Sequence, residues 1–112
     1  MIDSYEFGEL IVDGKSYTSD VIIYPDRIDD KWWRKEGHKL SVEDVKDIIS
    51  AKPELLIVGT GYSGFLEITS RTKHVLDTSG IELLAANTKK ACQKFNELSK
   101  TKRVVAALHL TC

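Results

Sequence analysis

Apolar residues along the chain follow two rhythms. Three short runs are apolar almost throughout: Leu55–Val58, Ile81–Ala86 and Val104–Leu110. Between them lie segments whose apolar positions recur at helical spacing. Val42, Val45, Ile48 and Ile49 make one such face, Val75 and Leu76 mark a second, and Ala91, Cys92, Phe95 and Leu98 make a third. Strands that are apolar on both faces and separated by helices predict a parallel sheet covered on both sides.

The boundaries carry their own signals. Ser41 can cap the first helix, with Asp44 completing a capping-box pattern and Leu40 and Val45 placed as a hydrophobic staple. Pro53 ends it. The second helix is predicted from about Ser70 to Ser79 with Gly80 as its stop, and the third from about Thr88 to Ser99. Before them, "ELIVDGKSYTS" places Asp13-Gly14 between two extendable runs, a strong hairpin signal. A short strand from Val21 to Tyr24 is stopped by Pro25, and the irregular piece "DRIDDKWWRKEGHKL" follows. The sum is one α/β domain over residues 1–112 with a mixed, mostly parallel central sheet and an N-terminal β-hairpin.

Composition narrows the classes without choosing one. With 112 residues, 42% apolar and 29% charged, the chain has the length and balance of one ordinary globular domain. The net charge of −1 gives no global field toward nucleic acid or an acidic membrane, so neither is expected as a partner. Residues 88–103 hold Lys89, Lys90, Lys94, Lys100, Lys102 and Arg103 against Glu97 alone; this is read as a solvated helix face rather than a docking patch. The start, "MIDSYEFGEL", has neither the basic nor the apolar region of a signal peptide. No apolar run approaches the ~20 residues that span a bilayer. Two cysteines, Cys92 and Cys112, form no disulfide framework. The expectation is a cytoplasmic, reduced protein.

The stretch "LLIVGTGYSG" raises the question of chemistry. Gly59, Gly61 and Gly64 follow a strand with the G-x-G-x-x-G spacing of a dinucleotide loop. Such a loop must open a helix directly, whereas Thr69-Ser70 start one several residues late. It also needs an acid at the end of the next strand, where Asn87 stands. A Walker loop fails because no Gly-Lys-Ser/Thr follows. The spacing is therefore not read as a nicotinamide site, and no cofactor is expected. Glycines after a parallel strand can still leave amides uncovered as an anion-binding nest at the carboxyl end of the strand. Gly59, Thr60, Gly61, Tyr62 and Ser63, with Arg34 and His38 as sources of positive charge, form the candidate ligand site, and a small anion is the ligand it fits.

Other groups are read structurally. In "WWRKEGH" one tryptophan of an extended pair faces the core, and the other can stack with a cation such as Arg34. His109 and Cys112 in "ALHLTC" differ by three positions and face opposite ways on a continued strand, which disfavours a thiol nucleophile. His38, His74, His109, Cys92 and Cys112 have no metal-ligand spacing, so neither a metal site nor a catalytic residue is assigned.

Phe7-Gly8, "WWRKEGH" at Trp32–His38, "IVGTG" at Ile57–Gly61, "FN" at Phe95-Asn96 and "HLTC" at His109–Cys112 occur in this order. In them the chain resembles the Mth-nine-three-eight-like domain family over essentially its whole length. The resemblance implies a three-layer α/β domain with a mixed central sheet. Its relatives include an adipogenesis-associated protein and a mitochondrial complex I assembly factor, and most members have no assigned function. The expected function is a non-enzymatic protein-binding or assembly module with a protein partner. The alternative is a small-anion or small-molecule binding protein, or an enzyme, using the Gly59–Gly64 loop.

Overall fold

Apolar side chains on both faces of a strand require cover on both sides, and the chain supplies it. The computed structural model of the protein describes every residue, Met1–Cys112. The elements are β1 (Ile2–Glu6), β2 (Glu9–Val12), β3 (Lys15–Tyr17), β4 (Val21–Ile23), β5 (Ile28–Asp29) and β6 (Lys39–Leu40). A 3₁₀ turn at Val42–Val45 leads into α1 (Lys46–Ala51). Then come β7 (Leu55–Gly59), β8 (Glu67–Ile68), α2 (Ser70–Thr78), β9 (Glu82–Ala86), α3 (Thr88–Leu98) and β10 (Val104–Leu108).

The central sheet has the order β5-β4-β10-β7-β9. β10 and β9 each run parallel to β7, with Val104 opposite Leu55 and Leu55 opposite Glu82. β4 runs antiparallel to β10, and β5 antiparallel to β4. The sheet is thus evenly mixed rather than mostly parallel, because the short Val21–Ile23 strand returns against the last strand of the chain. A separate antiparallel sheet is formed by β1-β2-β3. Asp13 and Gly14 turn β2 into β3 with φ of 48° and 82°, the positive pair that a tight two-residue hairpin needs. β6 and β8 make a short parallel pair.

Successive residues of a strand point to opposite faces. Leu55, Ile57, Val104, Ala106 and Leu108 therefore enter one apolar cluster, which also takes residues of β1, β2 and α3. Leu56, Val58, Val105 and Ala107 enter a second, with Leu40, Val45, Ile48 and Leu76. Each fully buried aliphatic side chain here contributes about 1.5–3 kcal/mol over its exposed state. β9 is the exception among the three apolar runs. It is an edge strand, so Glu82 and Ala85 are exposed and its other residues only half-buried.

The helix starts have identifiable partners. Thr69 accepts a bond from the Thr72 amide at 3.2 Å, and Asn87 accepts one from Lys90 at 3.0 Å. The helix expected from Ser41 opens instead as a 3₁₀ turn, with regular α-helix only from Lys46. The Asp44 carboxylate is shared there: it accepts from the Ser41 amide and hydroxyl, both at 2.8 Å, and from the Lys35 amide at 3.0 Å. Asn96 docks β1 onto α3 by accepting from Ile2 N and donating to Ile2 O, each at 2.8 Å. No helix is long and apolar enough to cross a membrane.

Candidate functional site

The carboxyl ends of β7 and β10 collect the residues that the sequence singles out. β4 is antiparallel to β10 and pairs Val21 with Leu108, so Asp20 also stands at that end. The tail after β10 is the hub. Leu110 O accepts from Gly8 N at 2.8 Å, Thr111 O from Tyr62 N at 2.7 Å, and Cys112 O from Phe65 N at 3.1 Å.

These bonds change the reading of the glycine loop. Most amides of the expected nest are engaged, and Ser63 N alone between Thr60 and Gly64 has no partner. Thr60 N donates to Ala86 O at 2.9 Å, Gly61 N to Thr88 Oγ1 at 2.9 Å, and Gly64 N to Gly61 O at 3.3 Å. The Thr60 hydroxyl is engaged too, on Ala86 O at 3.0 Å. Gly59 and Gly61 are needed because other atoms lie close against them, side chains at Gly59 and backbone at Gly61. A Cβ on Gly61 would sit 2.5 Å from Cys112 C and O, at a φ of +109°. A Cβ on Gly59 would sit 2.9 Å from Thr88 Oγ1 and Leu108 Cδ2. Gly59 thus admits the start of α3, and Gly61 admits the tail. None of Gly59, Thr60, Gly61, Ser63 or Gly64 borders a cavity; Tyr62 borders a shallow one of about 440 Å³ with Asn87, Lys89, Lys90 and Gln93.

Arg34 and His38 were expected to supply charge to the loop. Arg34 is instead held elsewhere: its side chain is buried, Nη1 pairs with Asp20 Oδ2, and Nη2 donates to Gly37 O at 3.0 Å. It also lies 4.9 Å over the Trp32 ring. Trp32 therefore serves both roles expected of the tryptophan pair, since it packs on the second cluster, donates from Nε1 to Asp44 O at 3.2 Å, and stacks with the cation. Trp33 is 76% exposed. His38 is exposed, its ring edge-on to that of His109 at 6.3 Å.

Asp20, Arg34 and His109 form the polar centre of this end. His109 Nδ1 lies 2.7 Å from Asp20 Oδ2, and Leu110 N donates to Asp20 Oδ1 at 2.8 Å. Burial works against ionising Asp20, but the bonds from His109, the Leu110 amide and Arg34 outweigh it and hold the carboxyl at about 2. An ionised carboxylate assigns the His109 proton to Nδ1. Arg34 Nη2 also lies 3.2 Å from His109 Nδ1, and His109 Nε2 and Arg34 Nε are both buried with no hydrogen-bond partner. No hydroxyl or thiol meets Nε2, so the pair lacks the nucleophile of an acyl-transfer triad. Its evident work is to fasten the tail to the start of β4. Asp20 escaped the sequence reading because it stands 89 positions from His109, with no spacing that could announce the pairing. The His, Cys, Asp and Glu side chains form no group of three or more arranged to hold a metal ion.

The two cysteines are free thiols in different settings. Cys92 lies in the first apolar cluster, and burial pushes its thiol up to about 12. Cys112 is half-buried. Titration with a thiol reagent at pH 8 should count one reactive group in the native protein and two in denaturant. Rapid loss of both native thiols would show that α3 opens.

Three of the exposed large apolar side chains mark the same end. Phe7 is 57%, Tyr62 55% and Phe65 65% exposed, and each adjoins a residue or amide tied to the 110–112 tail. The Phe7 and Tyr62 rings meet edge-on at 5.8 Å.

Fold and site together define a small α/β domain with a mixed sheet and three helices, its last residues bound across a glycine loop. Residues 2–109 match the family described as "Protein of unknown function (DUF498/DUF598)", and the chain belongs to that family. Among solved structures, it is similar to a conserved hypothetical protein from Pyrococcus horikoshii OT3, at 30% identity and a TM-score of 0.87, over 100% of this chain and 99% of that one. It is also similar to the protein called MT938, at 28% identity and a TM-score of 0.82, over 100% and 98% of the two chains. A Mth938-like domain of Bordetella pertussis shares the fold at 18% identity and a TM-score of 0.72, over 98% and 85%. The family resemblance carried by the sequence motifs is thereby established.

Proposed function

We propose that the chain is a non-enzymatic docking module: a three-layer α/β scaffold, with its N-terminal hairpin, that presents an aromatic rim to a protein partner. The observation that carries this reading is the exposure of Phe7, Tyr62 and Phe65 together around one tail. Single exposed apolar residues are ordinary, but neighbouring aromatic ones on a fixed backbone are what interface hot spots are made of. The backbone beneath them is tied by the bonds to Leu110, Thr111 and Cys112, so little ordering cost remains on binding. Lys89 and Lys90 flank Tyr62, which favours a partner with an apolar centre and an acidic border on that side.

Quantitative capture tests it, comparing wild type with a Tyr62→Ser, Phe65→Glu double variant. The expected result is a partner that saturates the wild type and binds the variant at least about tenfold more weakly, with the amide spectrum of the core unchanged. A partner held equally by both proteins would overturn the reading. The competing reading, a small-anion site on the Gly59–Gly64 loop, draws support from Ser63, whose amide has no internal partner. A saturable phosphate-induced shift of that amide would favour it.

A further inference from the structure

The opposite end of the sheet carries a second feature. Two clefts, of about 490 and about 330 Å³, open beside the start of β10. They share Tyr24, Pro25, Asp26, Arg27 and Arg103, and so form one trough. The floor of the larger part is apolar, with Ile23, Ile28, Phe95 and Val104. Its size lies in the range of small-molecule sites, about 300–1,000 Å³.

The charges along the trough are not equally engaged. The Met1 ammonium pairs with Asp13 at 2.9 Å, Arg27 with Asp26 at 3.1 Å, and Lys102 with Glu82 at 3.7 Å. Arg27 also lies 4.0 Å over the Tyr24 ring. Arg103 differs from these. Its backbone amide donates to Glu54 Oε1 at 2.9 Å, but its guanidinium makes no ion pair and donates from Nη2 to Ala51 O at 3.2 Å. Arg103 lines both parts of the trough, so one cation without a carboxylate stands between an apolar floor and open water.

We propose that this trough binds a small monocarboxylate with an apolar tail. The head lies on the Arg103 guanidinium, whose planar fork matches a carboxylate, and the tail covers Ile28 and Phe95. Asp26 lines both parts, paired with Arg27, and Asp47 lines the adjoining part unpaired, so the doubly charged phosphate is repelled there more than a single carboxylate and is selected against. The apolar floor selects against acetate, which has no tail to cover it.

Amide titration with hexanoate, acetate, inorganic phosphate and hexanol tests the proposal on the intact chain. Hexanoate is expected to shift the amides of Ile28, Arg103 and Val104 saturably. Acetate, phosphate and hexanol should each bind at least about tenfold more weakly, and Arg103→Gln should weaken hexanoate by a similar factor while Arg103→Lys recovers part of it. The melting temperature of Arg103→Gln, measured alongside, separates lost binding from lost folding. Unsaturable hexanoate shifts, equal binding of hexanol, equal binding of phosphate, or hexanoate binding unchanged in a folded Arg103→Gln protein would each overturn it.

Discussion

Replacing Gly61 by alanine is expected to lower the stability of the protein by about 2–5 kcal/mol, a large share of the ~5–15 kcal/mol available to a domain of this kind. Two costs add. The backbone sits at a φ of +109°, where a side chain is strained by about 1–2 kcal/mol. The added Cβ would also stand 2.5 Å from the Cys112 carbonyl carbon and 2.8 Å from Thr111 O, contacts that only backbone movement can relieve. Overpacking of this kind costs about 1–3 kcal/mol. Gly14→Ala separates the two, because Gly14 has a φ of +82° and open space where its Cβ would be. It should lose only the strain, about 1–2 kcal/mol. Thermal melts of the pair give the answer: a fall of about 8–20 °C for Gly61→Ala, and of about 4–8 °C for Gly14→Ala. Equal losses would mean that the tail does not lie against Gly61. Where the tail yields instead of the fold, the Tyr62 and Phe65 amides, bonded to Thr111 O and Cys112 O, should exchange faster while the core amides hold.

That result bears on what a sequence can disclose. The apolar runs at Leu55–Val58 and Val104–Leu110 were legible as strands buried on both faces because every residue of Leu55–Val58 and of β10 does face a core, one cluster or the other. The helix at Thr88–Leu98 was legible because Asn87 caps it and Ala91, Cys92 and Phe95 are buried along one side. Ile81–Ala86 was legible as a strand but not as an edge, since position in a sheet depends on partners rather than on composition. The same limit governs the site. Gly59 and Gly61 were visible as glycines needing an explanation, yet two explanations share one spacing: amides left open for a ligand, or close approach by other parts of the chain. The placement of Thr88 and Leu108 decides it for Gly59 and that of Thr111 and Cys112 for Gly61, and all four residues are remote in the chain. Arg34 carries a charge that the sequence shows, but its partner Asp20 stands in an ordinary run before β4.

Asp20 should prove the most costly polar side chain to remove. Asp20→Ala takes the acceptor from three donors at once: His109 Nδ1, the Leu110 amide and Arg34 Nη1. The Arg34 side chain is 7% exposed, so its charge is left buried and unpaired. Breaking one side of such a pair costs about 3–5 kcal/mol. Asp20→Asn keeps the shape and one acceptor oxygen and should lose less. The dependence on pH distinguishes this electrostatic role from simple packing. The folded carboxyl titrates at about 2, below its unfolded value, so its contribution is complete above the unfolded pKa of about 3.9 and disappears as pH falls through the folded one. Allowing for the partial contact of the carboxylate with water, protonation removes about 1–2 kcal/mol of it. Denaturation curves at pH 7, 5, 4, 3 and 2 should therefore show wild type and Asp20→Ala furthest apart at pH 5 and above, and closer by that amount at pH 2. A gap that stayed constant across this range would assign Asp20 a role in shape alone. A gap that widened in acid would mean that the bonds from His109 and Arg34 do not hold the carboxylate ionised.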